Sequence, residues 1–134
     1  MRLASFAPYA LSLARIVFAF LIIQHGVQKW FGLLGGLGGS ASPAGSQLWI
    51  AGVIETIVGA FLLAGLFTRP AAFILCGQMA AAYFLAHNPR GFWTVQNAGE
   101  PAVLHCFFYL YVVTAGGGAW SLDRLIWKSG DKVA

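Results

Sequence analysis

Charge is what this chain has least of. Charged residues are 9% of its 134 positions, where soluble domains carry about 25%, so a water-facing globular surface is excluded for much of the molecule. Hydrophobic residues make up 59% and mean hydropathy is +0.75, which makes lipid the expected solvent of that surface. Cysteine is nearly absent as well: Cys76 and Cys106 are the whole complement and form no C-x-x-C motif. No internal repeat or low-complexity tract stands out, which leaves a small transporter little machinery for alternating access unless the chain dimerises. Nor is there an unbroken signal-peptide core, since Arg15 interrupts that stretch and no small-residue cleavage pattern follows it, so the N-terminus is expected to stay.

A hydrocarbon span needs about 20 mostly apolar residues, and four such stretches nearly exhaust the chain: residues 9–31, 48–67, 71–86 and 101–119. The expected architecture is all-α, a single-domain integral membrane four-helix bundle over residues 1–134. The third span should end before Asn88 and Pro89, because the position before a proline disfavours helix. With an even number of spans both termini share a side. That side receives Arg2, Arg69, Arg124, Lys128 and Lys132, with Arg15 expected to snorkel toward it, while the other receives Lys29 and Arg90. This asymmetry predicts cytoplasmic termini. The formal charge of +4 is accounted for by lipid headgroups and needs no nucleic acid.

Residues 32–47 are glycine-rich and almost uncharged, and read as a flexible connection rather than a lid. Residues 87–100 mix interfacial aromatics with polar groups, and Pro101 suits a first helical position with Glu100 near the positive helix end. Cys76 falls about five residues from the cytoplasmic end of the third span and Cys106 about five from the outer end of the fourth, on the order of 10 Å or more apart in depth. A disulfide needs Cα atoms within about 7 Å. None is expected, and any thiol exchange is assigned to a partner.

Residues 22–32, IIQHGVQKWFG, place unusual polarity at the mouth of the first span. Counting from the helix ends puts His25 roughly 8 Å deep, Glu55 about 9 Å, and His105 and Tyr83 about 6 Å. Four helices thus contribute polar groups to one layer, and ionisable groups at such depth face the bundle interior or a cavity. Gly52, Glu55 and Gly59 lie at i, i+3 and i+7, so small residues flank the acid. Gln28 lies one turn from His25, His87 one turn from Tyr83, and Tyr109 one turn from His105. Glu55 with His25 or His105 would titrate as a coupled unit and relay protons, as a quinone or quinol headgroup requires alongside hydrogen-bonding groups and aromatic walls. The alternative is an interior polar lock between Glu55 and a histidine or Arg15. A lesser possibility is a metal on His25, His87, His105 and Glu55, or a haem between two histidines. The ligands come one per helix, with no H-x-x-x-H or E-x-x-H pair.

QHGVQKWFG (residues 24–32), GLFTRPAA (65–72), NAGEPAVLHCFFYLY (97–111) and WSLD (120–123) together resemble the DoxX family of small bacterial membrane proteins, from about Arg15 to Leu125. The resemblance implies a four-helix bundle in the bacterial inner membrane. It also implies association with redox systems: subunits of thiosulfate:quinone oxidoreductase, quinol oxidation, and complexes handling oxidative and thiol stress. The family pattern falls here on His25, Gly26, Lys29, Gly32, Glu55, Gly65, Thr68, Arg69, Asn97, Gly99 and Glu100, which adds Lys29, Asn97 and Glu100 to the candidate ligand-binding residues. Two departures stand out: NAGEP (97–101) replaces the commoner NGGE followed by an aliphatic residue, and His105 stands where tyrosine is more usual. Two function classes follow. One is a redox subunit with an outer-side quinone/quinol pocket, fed by soluble or membrane oxidoreductase partners. The other is a non-enzymatic anchor or assembly scaffold, or a passage for a small solute, with a homo-oligomer feasible through the glycines of the second span.

Overall fold

The computed structural model describes residues 3–36 and 38–127, so Arg2, Lys128 and Lys132 of the charge asymmetry lie outside the described residues. Among the described residues every regular element is helical: α1 Ala7–Phe31, α2 Gln47–Ala64, α3 Thr68–Ala82, a single turn α4 Thr94–Asn97, α5 Glu100–Ala115 and the short α6 Leu122–Ile126. A 3-10 turn, Leu3–Phe6, leads into α1. Three continuous stretches, Leu3–Phe31, Gln47–Ala64 and Thr68–Arg90, are long and apolar enough to cross a membrane, and Glu100–Ala115 is apolar but shorter. Their outward faces carry large apolar side chains such as Leu13, Phe20, Phe73 and Phe107. Such a surface matches lipid rather than water.

The helix ends differ from the sequence boundaries, each for a local reason. α2 stops at Ala64 rather than at residue 67 because Gly65 takes a left-handed φ of 69° and the Gly65 and Leu66 amides donate back to Leu62 O and Phe61 O, the usual glycine closure of a helix. α3 starts at Thr68 rather than at residue 71. The Asp123 carboxylate, carried on α6, accepts from the Phe67 amide at 2.7 Å and the Thr68 amide at 2.8 Å, capping donors that have no partner within the helix. The helical path also continues past Asn88, through a π turn at Tyr83–His87 and a 3-10 turn at Asn88–Arg90. Changing the turn geometry around Pro89 accommodates its missing N–H. α5 ends at Ala115 rather than at residue 119, where Gly116 turns to a φ of 81°.

α1 packs along α2, α3 packs along α5, and α2 meets α3. The first pair is close because glycines face it: a Cβ on Gly26 would lie 2.7 Å from the Thr56 amide nitrogen, and one on Gly52 2.9 Å from Lys29 Cβ. Small residues at such positions let backbones approach. The α1/α5 seam is instead filled by rings, with Phe18 stacked on Phe108 at 4.1 Å and edge-on to His105 at 4.9 Å. Ala19, Ile22, Leu62, Leu75, Met79, Tyr109 and Val112 form the core between the pairs.

Arg15 does not snorkel to water. It is completely buried, with Nη1 donating to Leu62 O and Leu63 O at 2.5 and 2.6 Å, Nε to Gly117 O at 2.9 Å and Nη2 to Trp120 O at 2.6 Å. The last carbonyls of α2 have no partner within that helix and carry its negative end, so a guanidinium is better satisfied there than in the interface. The 32–47 connection is likewise tied rather than free: Gln28 Nε2 donates to Leu34 O at 3.0 Å and the Ser42 amide to Lys29 O at 2.8 Å.

Candidate functional site

The polar layer expected from the sequence divides into three groups. In the first, Lys29 Nζ on α1 donates to Glu55 Oε1 on α2 at 2.6 Å, and Gln78 Nε2 on α3 donates to the same oxygen at 2.8 Å. Glu55 is buried while the Lys29 side chain keeps 20% exposure, so the lysine stem runs inward from the α1 end and its ammonium meets the acid. Gln78 also donates to Ala51 O at 3.3 Å. The sequence reading did not select Gln78, although an amide in an apolar run must find a partner. Glu55 Oε2 is buried without one.

The second group orders the 87–100 loop. Asn97, fully buried, donates through Nδ2 to Gly91 O at 2.8 Å and to Tyr83 Oη at 3.4 Å, and its Oδ1 accepts from the Gly99 amide at 2.8 Å. Tyr83 Oη donates to Phe92 O, and His87 Nδ1 lies 3.0 Å from Asn97 O. Tyr83, His87 and Asn97 are therefore together, but apart from the Glu55 group and engaged with backbone. Ala98, the departure from the family pattern, has a φ of 57°. A non-glycine residue there costs roughly 1–2 kcal/mol, part of which glycine returns through its freer unfolded chain. Ala98→Gly is expected to stabilise the protein by about 0.5 kcal/mol, read as a raised melting temperature in detergent; a lowered one would show that Ala98 is not strained.

The third group borders a groove of about 350 Å³ between α1 and α5, lined by Phe18, Leu21, Glu100, Pro101, Leu104 and His105. Almost all of this wall is apolar, and Glu100 stands exposed at the start of α5. His105 is 7% exposed. Its Nδ1 sits 2.8 Å from Pro101 O, and because a carbonyl only accepts, Nδ1 carries the proton. Nε2 is buried with no hydrogen-bond partner. Behind it Tyr109, fully buried, donates from Oη to Phe18 O at 3.3 Å. His25 is exposed rather than turned toward Glu55. Gly26 is the residue that faces α2, so the preceding position is rotated away from it. Phe18, Leu21 and His25 follow i, i+3, i+7 spacing and share one stripe of α1. His25 thus lies one turn beyond the groove.

One reading of the sequence is overturned. Cys76 and Cys106 are not separated in depth: their Sγ atoms lie 3.7 Å apart across the α3/α5 seam, both thiols free and partly exposed. Because α3 begins at Thr68 and α5 ends at Ala115, each cysteine is about eight or nine residues, or roughly 13 Å, from the same end of the bundle. The residues of the lesser metal alternative are dispersed among the three groups. Glu55 is in an ion pair and His87 in the loop, and among the described residues no three His, Cys, Asp or Glu side chains come together as metal ligands.

Lipid-facing helices around a few internal polar groups define a multi-pass integral membrane protein. Within that class the chain belongs to the DoxX family, whose profile matches residues 10–88. It is 40% identical over 130 residues to an uncharacterised protein of Haemophilus influenzae, covering 94% of this chain and 97% of that one. It is 28% identical over 138 residues to an uncharacterised membrane protein of Mycobacterium tuberculosis, covering 90% and 83%. No solved structure matches it.

Proposed function

We propose that this protein binds a quinol or quinone headgroup in the α1/α5 groove and serves as the membrane subunit of a partner oxidoreductase. The observation that supports this most directly is His105 Nε2, a buried polar atom without a partner, on a residue that lines an almost wholly apolar groove. With Nδ1 holding its proton against Pro101 O, Nε2 of the neutral ring keeps its lone pair and accepts from a quinol hydroxyl. Once protonated, it donates to a quinone carbonyl instead. Phe18, Leu21 and Leu104 offer the apolar walls that a ring and its tail need. Glu100 and His25, at the mouth and one turn beyond it, are the groups through which a proton would pass to water. Glu55, held by Lys29 and Gln78, ties three helices together, and its unpartnered Oε2 would be the inward end of the same relay. A bound quinol would supply two electrons and two protons; this chain holds the headgroup and moves the protons.

In the same reading α5 is the fourth span and the membrane is the bacterial inner membrane. Arg69 and Arg124 stand exposed at the Asp123 end, and the sequence adds Arg2, Lys128 and Lys132 to that side. The excess over Lys29 and Arg90 favours cytoplasmic termini, with the groove toward the outer leaflet. The test is titration of a short-tail quinol analogue into nanodisc-embedded protein. His105→Ala is expected to weaken binding by about tenfold, the equivalent of one good hydrogen bond, measured on the fraction that remains folded. Equal affinity would remove the groove from the mechanism.

A further inference from the structure

The chain has two cysteines, and both meet in one contact. Cys76 on α3 and Cys106 on α5 place their sulfurs 3.7 Å apart, on helices that pack directly against one another. A disulfide needs about 2.05 Å, a closure within the reach of small side-chain rotations and helix adjustments. Neither thiol is sealed in the core: both are partly exposed at the seam, so a lipid-soluble oxidant can approach them, while charged thiols such as glutathione are kept out by the hydrocarbon. Cys106 directly follows His105, so the pair and the groove share one turn of α5.

We infer that Cys76 and Cys106 are a redox-reversible dithiol whose electron acceptor is a membrane quinone. This rests on the reading of the groove as a quinone/quinol site and names its reductant within the chain. In the step, two S–H bonds break and one S–S bond forms; the sulfurs lose two electrons, and two electrons and two protons pass to the quinone carbonyl oxygens to give the quinol. A membrane-embedded partner that brings its own dithiol to the α3/α5 seam would regenerate the pair by thiol–disulfide exchange. Oxidation clamps α3 to α5, and reduction releases them.

The experiment uses the full chain in nanodiscs, reduced, freed of reductant and held without oxygen, with a short-tail ubiquinone analogue added. Free thiols are counted by a maleimide mass tag under denaturing conditions and quinol by absorbance. Wild type is expected to lose both tags together within one chain, yield one quinol per chain, and recover both tags with dithiothreitol. Cys76→Ser should keep its remaining thiol and yield no quinol. Quinone that binds in a His105-dependent way while both thiols stay free would overturn this inference and leave the groove intact. Thiols that oxidise equally in His105→Ala, with no groove binding in either form, would support the dithiol and overturn the groove reading. Cross-links between chains instead of within one would overturn the pair.

Discussion

Arg15→Met is expected to lower stability by about 5 kcal/mol, enough to prevent most of the chain from assembling. The methionine can fill the space of the stem, but four carbonyls lose a charged donor: Leu62 and Leu63 at the end of α2, Gly117 and Trp120 in the segment that follows α5. A hydrogen bond to a charged group contributes about 1.5–3 kcal/mol and an unsatisfied buried carbonyl costs about 1–3, and these effects overlap rather than add. Arg15→Lys should recover less than half, because one ammonium cannot fork to four acceptors arranged around a planar guanidinium. Folded yield and thermal unfolding in mild detergent check both. A melting temperature for Arg15→Met close to wild type would mean that the carbonyls find other donors and that Arg15 is not the anchor of this end.

Lys29→Met is expected to cost about 3 kcal/mol, the scale for stranding one member of a buried ion pair. Glu55 would keep only the Gln78 amide, with its charge fully buried. Glu55→Gln should be far milder, below about 1 kcal/mol, since the neutral amide can still accept from Gln78 or Lys29 and the partly exposed ammonium can reach water. Glu55→Lys should not fold, because it would set two cations against each other. The diagnostic variant is the double one: Lys29→Met with Glu55→Met should regain most of the loss, as apolar replacements of buried pairs often do. Damage that merely adds in the double variant would show that the two residues act separately.

These residues also show how far sequence reasoning reached the site. The inward orientation of Glu55 followed from glycines at fixed spacing around it, and the close α1/α2 approach at Gly26 and Gly52 bears that out. Its partner did not follow. Lys29 counts toward the outer charge and Gln78 carries no pattern of its own, because a long flexible side chain can turn inward or outward at the same helix position. For His25 depth and stripe do not fix the rotation that decides whether a polar group meets the core, and Gly26 takes the inward place. The cysteines were misplaced by boundary errors at both helices, which added rather than cancelled. A few residues at each end is enough to turn a contact into a separation of about 10 Å at 1.5 Å per residue.

What the sequence determined by itself was the solvent and the secondary structure. Scarce charge and long apolar runs require backbone hydrogen bonds to be satisfied internally, which in lipid leaves a helical bundle for a chain of this pattern. Its short motifs were sufficient to assign the family, though not to say why each is there. That belonged to the tertiary structure. Asp123 of WSLD caps the helix opened by FTRP, Asn97 of NAGEP knots its own loop, and Arg15 closes a helix that starts more than thirty residues later. Each is a polar group whose partner is distant in sequence and available only once the helices are packed. In a membrane interior no water stands in for a missing partner, so the packing that supplies it also decides which polar groups are locked and which, like His105 Nε2, are left without a partner.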